Sequence, residues 1–98
     1  MAYDTRMATV PAQHYPHIVK TDGVRGGKAR IDGTRICVYD VVYLHQQGMP
    51  AEEIREYHSD RPLTLAEVHA ALAYYYDHTD EIVSELERQR SGGGDAEP

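Results

Sequence analysis

The sequence predicts a mainly α, small α+β domain: a short N-terminal β-hairpin, then a three-helix unit of helix-turn-helix type, then a C-terminal helical extension. Three observations predict it. Asp32 and Gly33 sit between two runs suited to strands, a strong short-range hairpin signal. Thr64 and Glu67 have the spacing of a capping box, so a helix begins there. Beyond it Leu65, Val68, Leu72, Tyr75, Thr79, Ile82 and Leu86 recur at alternating spacings of three and four, a helical seam with Thr79 as its one weak member.

Residues 1–16 show no periodicity, contain Pro11 and Pro16, and read as a flexible segment. His14 and His17 have a metal-like spacing, but no Cys or carboxylate accompanies them, so they read as surface loop. Residues 17–20 are a candidate first strand, closed by a turn at 21–23. Gly26 and Gly27 allow a second sharp change of direction. With Lys28 they do not make a phosphate-binding loop, because the upstream Gly and the following Ser or Thr are missing. A type I′ turn at Asp32-Gly33 would pair Ile31 with Thr34, Arg30 with Arg35, Ala29 with Ile36 and Lys28 with Cys37. Alternation then places Ala29, Ile31 and Ile36 on a core face and Lys28, Arg30 and Arg35 on a basic one.

The first helix is expected from Tyr39 or Asp40 to Gln47, with Asp40 as N-cap and Gly48 just past its end. Pro50 opens the second, which turns Ala51, Ile54 and Tyr57 or His58 inward and Glu52, Glu53, Arg55 and Glu56 outward, ending by Ser59. The third starts at the capping box. Either it runs unbroken to about Arg90, or Thr79 or Asp80 caps a separate final helix. Residues 91–98 are Gly-rich and acidic and read as a disordered tail, which leaves 17–90 as the folded domain.

The charge is unevenly spread. The 98-residue chain has a formal charge of −6, yet residues 18–35 hold five basic and two acidic side chains. That balance argues against a non-specific nucleic-acid binder and leaves room for a local basic patch. Eight Tyr and no Phe or Trp favour half-buried, interface-rich packing, and a domain this small commonly gains core by forming a homodimer. The lone Cys37 excludes an internal disulfide, and no secretory h-region or membrane-length apolar run is visible, so a soluble, cytoplasmic chain is expected.

The stretch 26–38, with Gly26, Gly27, Lys28, Asp32, Gly33, Thr34 and Arg35, is followed by 47–54, with Gly48, Pro50, Glu53 and Ile54. Next come 65–74, with Leu65, Glu67, Leu72 and Tyr74, and then His78, Glu81 and Ile82. In that order and spacing the chain resembles domain-of-unknown-function family 433, which is grouped with VapB-type antitoxins. It departs from the family pattern at Ala29, Cys37 and Pro50-Ala51. The resemblance implies a homeodomain-like helix-turn-helix behind a short hairpin. It further implies an antitoxin-like role with a PIN-like ribonuclease toxin as partner, and operator DNA for some members.

The DNA-facing candidates are Lys28, Arg30 and Arg35 on the hairpin and Thr64, Glu67 and His69 at the start of the third helix. Base reading favours Arg, Lys, Asn and Gln, and no Arg or Lys lies between Thr64 and Arg88. The basic trio has a competing use in ion pairs with the acidic helices, Arg35 above all. Tyr74, Tyr75, Tyr76, Ile82 and Leu86 are the interface candidates, for a toxin or a second copy, against a reading with Tyr75 in the core. No nucleophile triad, paired acid–base carboxylates or metal motif emerges, so no enzymatic role, cofactor or metal is expected. The alternative function is a homodimeric protein-interaction module that binds no DNA.

Overall fold

The computed structural model describes residues 15–58 and 61–91. His14, most of the expected flexible segment and most of the expected tail lie outside the described residues. The architecture is the small, mainly α domain the sequence predicts: β1 (Ile18–Val19), a single 3-10 turn (Arg25–Gly27), β2 (Arg30–Ile31), α1 (Val38–Gln46), α2 (Ala51–Tyr57), α3 (Leu65–Asp77) and α4 (Thr79–Arg90).

The hairpin differs from the expected one. β2 pairs antiparallel with β1, Ile18 opposite Ile31 and Val19 opposite Arg30. On its other edge Arg30 bridges Cys37, and Ile31 N–H donates to Ile36 O at 2.9 Å. The loop is therefore four residues, 32–35, and not the two of a type I′ turn. A type I′ turn needs positive φ at both central residues. Here Gly33 has it (φ 82°) and Asp32 does not. Thr34 secures the longer loop. Its hydroxyl donates to Ile31 O at 2.8 Å and accepts from Ile36 N–H at 2.9 Å. Ile31 now faces Ile36, so the predicted core face survives the change of register: Ala29, Ile31 and Ile36 are all buried.

α1 begins one turn's fraction earlier than expected. Cys37 is the N-cap, and Asp40 sits at the third helical position, where its carboxylate accepts Cys37 N–H at 2.8 Å. The helix ends in a Schellman motif: Gly48 N–H donates to His45 O and Met49 N–H to Leu44 O. Gly48 takes φ 91°, the left-handed conformation that motif needs. Pro50 is the N-cap of α2 and not its first residue. Ile54 is the one fully buried side chain of α2, and Tyr57 points outward.

Thr64 and Glu67 form the predicted capping box at 3.0 and 2.9 Å. Leu63 before it and Val68 in the first turn are both fully buried, the arrangement of a hydrophobic staple. α3 and α4 are separate helices, broken at His78 (φ −134°, ψ 47°). The buried face of α3 is Glu67, Val68, Ala71 and Tyr74. It is rotated from the predicted seam: Leu65 is exposed, while Leu72 and Tyr75 only pack partly against the core. Leu63 is fully buried just ahead of the first turn, Ala71 is fully buried on the inward face, and α3 packs on α1.

Candidate functional site

The 3-10 turn carries an unusual residue. Arg25 has φ 51°, and Gly26 and Gly27 continue at 69° and 79°. A non-Gly residue in the left-handed region carries a conformational cost. The guanidinium offsets it: Arg25 donates to Arg35 O at 2.6 Å and to Tyr39 Oη at 2.9 Å, and lies 3.6 Å from the Asp40 carboxylate. Arg25 thereby ties the hairpin loop to the first turn of α1. Burial, and then the neighbouring Asp40 charge, raise the Tyr39 hydroxyl pKa, so the phenol stays neutral.

Beside this tie lies a cleft of about 770 Å³. Its walls are α1 (Tyr43, Gln46, Gln47), the end of α2 (Tyr57, His58) and the last turns of α4 (Leu86, Gln89, Arg90). Tyr43 and Tyr57 are 53% and 59% exposed. His58 Nε2 is buried with no hydrogen-bond partner among the described residues. The cleft thus combines aromatic surface, amide donors and an unsatisfied imidazole nitrogen, a composition suited to holding another polypeptide. A second, smaller concavity of about 460 Å³ is lined by Val24, Arg30, Asp32, Gly33, Thr34 and Arg35.

A family of proteins of unknown function, DUF433, matches residues 18–75. The chain belongs to the DUF433 family. A crystal structure of a DUF433 member from Anabaena variabilis is similar over 83% of this chain and 79% of its own, at 35% identity and a TM-score of 0.66. A comparison with curated proteins finds no match. The DUF433 match runs from β1 through most of α3, so α4 and its wall of the cleft lie beyond it.

Within this DUF433 fold the predicted site residues separate. Lys28 Nζ donates to Arg25 O at 3.4 Å. Arg30 donates to Thr21 Oγ1 and Thr34 O, and its Nε is buried without a partner among the described residues. Arg35 is exposed on the loop. The ion pairs among the described residues are Lys20–Glu81, Arg25–Asp40, Arg55–Glu56 and Arg61–Glu67. None uses the predicted basic trio, so the expected carboxylate pairs of Arg30 and Arg35 are absent within the described chain.

Glu67, expected to face DNA, is 8% exposed and chelated by Arg61 through two bonds of 3.0 Å. That hydrogen-bonded pairing lowers its carboxyl pKa. Its capping duty turns it toward the protein. Thr64 and His69 are exposed. Among the interface candidates Tyr74 and Ile82 are core residues, Tyr75 and Leu86 are half-buried, and Tyr76 is 63% exposed. Tyr74, and not Tyr75, is the core tyrosine. Its hydroxyl reaches Glu81 at 2.9 Å, its ring stacks on His78 at 4.1 Å, and Lys20 completes the cluster through Glu81.

Arg25, Tyr43, Tyr57 and His58 were not legible as one site. The signal for Arg25 was its place before Gly26-Gly27, where a left-handed turn could extend backward. Cys37 is buried, and burial, with Asp40 adding to it, pushes its thiol up to about 11, so it is a packing residue with an inert sulfur. Among the described residues no group of three or more His, Cys, Asp or Glu gathers as a metal site requires. No helix among them is long and apolar enough to cross a membrane.

Proposed function

We propose that this DUF433 chain is a protein-binding module of antitoxin type, which holds a PIN-like ribonuclease toxin in the tyrosine-lined cleft between α1, α2 and α4. One observation carries the reading: a cleft of about 770 Å³ is ringed by exposed Tyr43 and Tyr57, whereas α3 offers no Arg, Lys, Asn or Gln. Aromatic side chains are the usual anchors of protein interfaces, and direct base readout favours Arg, Lys, Asn or Gln. The test is titration calorimetry of the chain against the PIN-like protein encoded beside it. Tyr43→Ala with Tyr57→Ala is expected to weaken binding at least ~100-fold, two anchors at about 1.4 kcal/mol or more each, with far-UV circular dichroism unchanged. Full affinity in the double variant would sink the cleft as the binding surface.

A second reading has its own observation. Arg30 and Arg35 line the concavity at the loop, clear of ion pairs among the described residues. Operator DNA, where bound, meets its phosphates there and not on α3. A mobility shift with the chain's own promoter tests this. Arg35→Glu is expected to abolish the shift and leave toxin binding intact.

A further inference from the structure

α3 presents to solvent a face of exposed side chains, and at its C-terminal end Tyr76 Oη lies 3.2 Å from His45 Nε2. Leu65, Ala66, His69, Ala73 and Tyr76 are all exposed, and their spacing puts them on one side of the helix, opposite Val68, Ala71 and Tyr74. From Leu65 to Tyr76 the stripe is roughly 16 Å long. No side chain in it is formally charged with His neutral, in a chain whose net charge is −6. Leu65 is 41% and Tyr76 63% exposed, so two of the four large exposed hydrophobics of the described residues lie here.

The pattern is complementary to itself. Turn a second copy through a two-fold axis at the level of Ala71, perpendicular to the helix. Tyr76 then meets Ala66 of the copy, His69 meets Ala73, and Leu65 reaches the end of the opposite helix. Large faces small at the Tyr76–Ala66 and His69–Ala73 steps, which lets two helix axes approach to about 8 Å. An isologous contact requires such reciprocity.

Charge favours the same arrangement. Asp77 closes α3 at its C-terminal end, where it accepts a hydrogen bond from Tyr15 Oη, and the last turn holds no basic residue. A carboxylate is misplaced there, next to the negative end of the helix dipole. In the antiparallel pair the positive N-terminal end of the second α3 lies beside Asp77. The contact also brings two acidic chains together along a strip that carries no charge of its own, which keeps their mutual repulsion low.

We infer that the outward stripe of α3 is a self-association face, on which a second copy of the chain lies with its α3 antiparallel and the two-fold axis level with Ala71. In a helix-turn-helix this is the surface that would otherwise enter a DNA groove. Self-association therefore takes α3 away from DNA and leaves the cleft between α1, α2 and α4 free. The inference stands apart from the toxin reading, since neither uses the other's residues.

The experiment is analytical ultracentrifugation of the full chain. Wild type is expected to be a dimer. Ala73→Glu alone and Ala73→Lys alone are expected to be monomers, because each buries like charges about the axis, with far-UV circular dichroism unchanged. Mixed together, the two are expected to associate again, as a two-fold contact that brings the two 73 positions together predicts. Ala66→Glu is a second interruption, should either change at Ala73 disturb the fold. Tyr43→Ala with Tyr57→Ala is expected to remain dimeric. A monomeric wild type, or a dimer indifferent to the changes at both Ala66 and Ala73, overturns the inference.

Discussion

Arg25 holds a backbone conformation that most side chains avoid, and its guanidinium is what keeps it there. The two effects separate by mutation. Arg25→Ala keeps the left-handed strain and deletes the bonds to Arg35 O and Tyr39. Arg25→Gly deletes the same bonds and relieves the strain. The Ala variant is therefore expected to be less stable than the Gly variant by about 1 kcal/mol, read from urea melts. Equal stabilities would mean that the turn is unstrained. Glu85 is the other residue in an unfavourable setting. It is 5% exposed on α4, and its Oε1 has no partner among the described residues. Burial, and then the negative charge of Glu81, push its carboxyl up to about 7, against a smaller downward pull from Lys28, Arg88 and Lys20. Cys37 faces it from the start of α1, and its thiol is neutral. A carboxyl raised in the folded state favours folding fully below its unfolded value and loses that advantage as pH climbs through about 7. Stability is thus expected to fall between roughly pH 4.5 and 8, by an amount of order 3 kcal/mol for a shift of this size. Glu85→Gln is expected to flatten the profile and to raise the melting temperature at pH 8. A wild-type melting temperature that does not change across that window would show that the carboxyl stays ionised.

The elements join where side chains bridge them. Tyr74 of α3 donates to Glu81 of α4, Lys20 behind β1 pairs with the same carboxylate at 3.1 Å, and Tyr15 bonds Asp77. This cluster spans the break at His78 and fixes α4 against the body. Tyr74→Phe leaves the ring stacked on His78 and removes the hydroxyl. The expected loss is about 1–2 kcal/mol in denaturant melts, with hydrogen exchange in α4 quickening more than in α1. Uniform exchange across all helices would show that α4 is not a separately held element. This joint also shows where sequence reading stopped. Thr64 and Glu67 gave the start of α3, since capping is local chemistry between residues three apart. Which side of α3 faces the core is decided by neighbours. Leu65, Leu72 and Tyr75 match a helical period as well as Val68, Ala71 and Tyr74 do. Leu63, by entering the core just ahead of the helix, settles the choice. The hairpin register was missed for a related reason: Asp32-Gly33 reads as a two-residue turn until the Thr34 hydroxyl is seen closing a longer one.

Over the whole molecule the legible part was the order of elements and the family to which they belong. The cleft was illegible because Arg25, Tyr43, Tyr57 and Leu86 come from four separate segments, none of which carries a motif. The acidic α4 completes that cleft from outside the family match, so the DUF433 body and this wall of the cleft are distinct stretches of chain. Glu85, buried on this same α4, gives the assembled molecule one more property. With its carboxyl pushed up to about 7 in the folded chain, Glu85 holds more proton at pH 7 when the chain is folded than when it is not. Folding at neutral pH therefore takes up protons from the solution. The heat of unfolding then includes the ionisation heat of the buffer. Scans in phosphate and in Tris at pH 7 are expected to give different enthalpies at the same melting temperature, and Glu85→Gln is expected to make them agree.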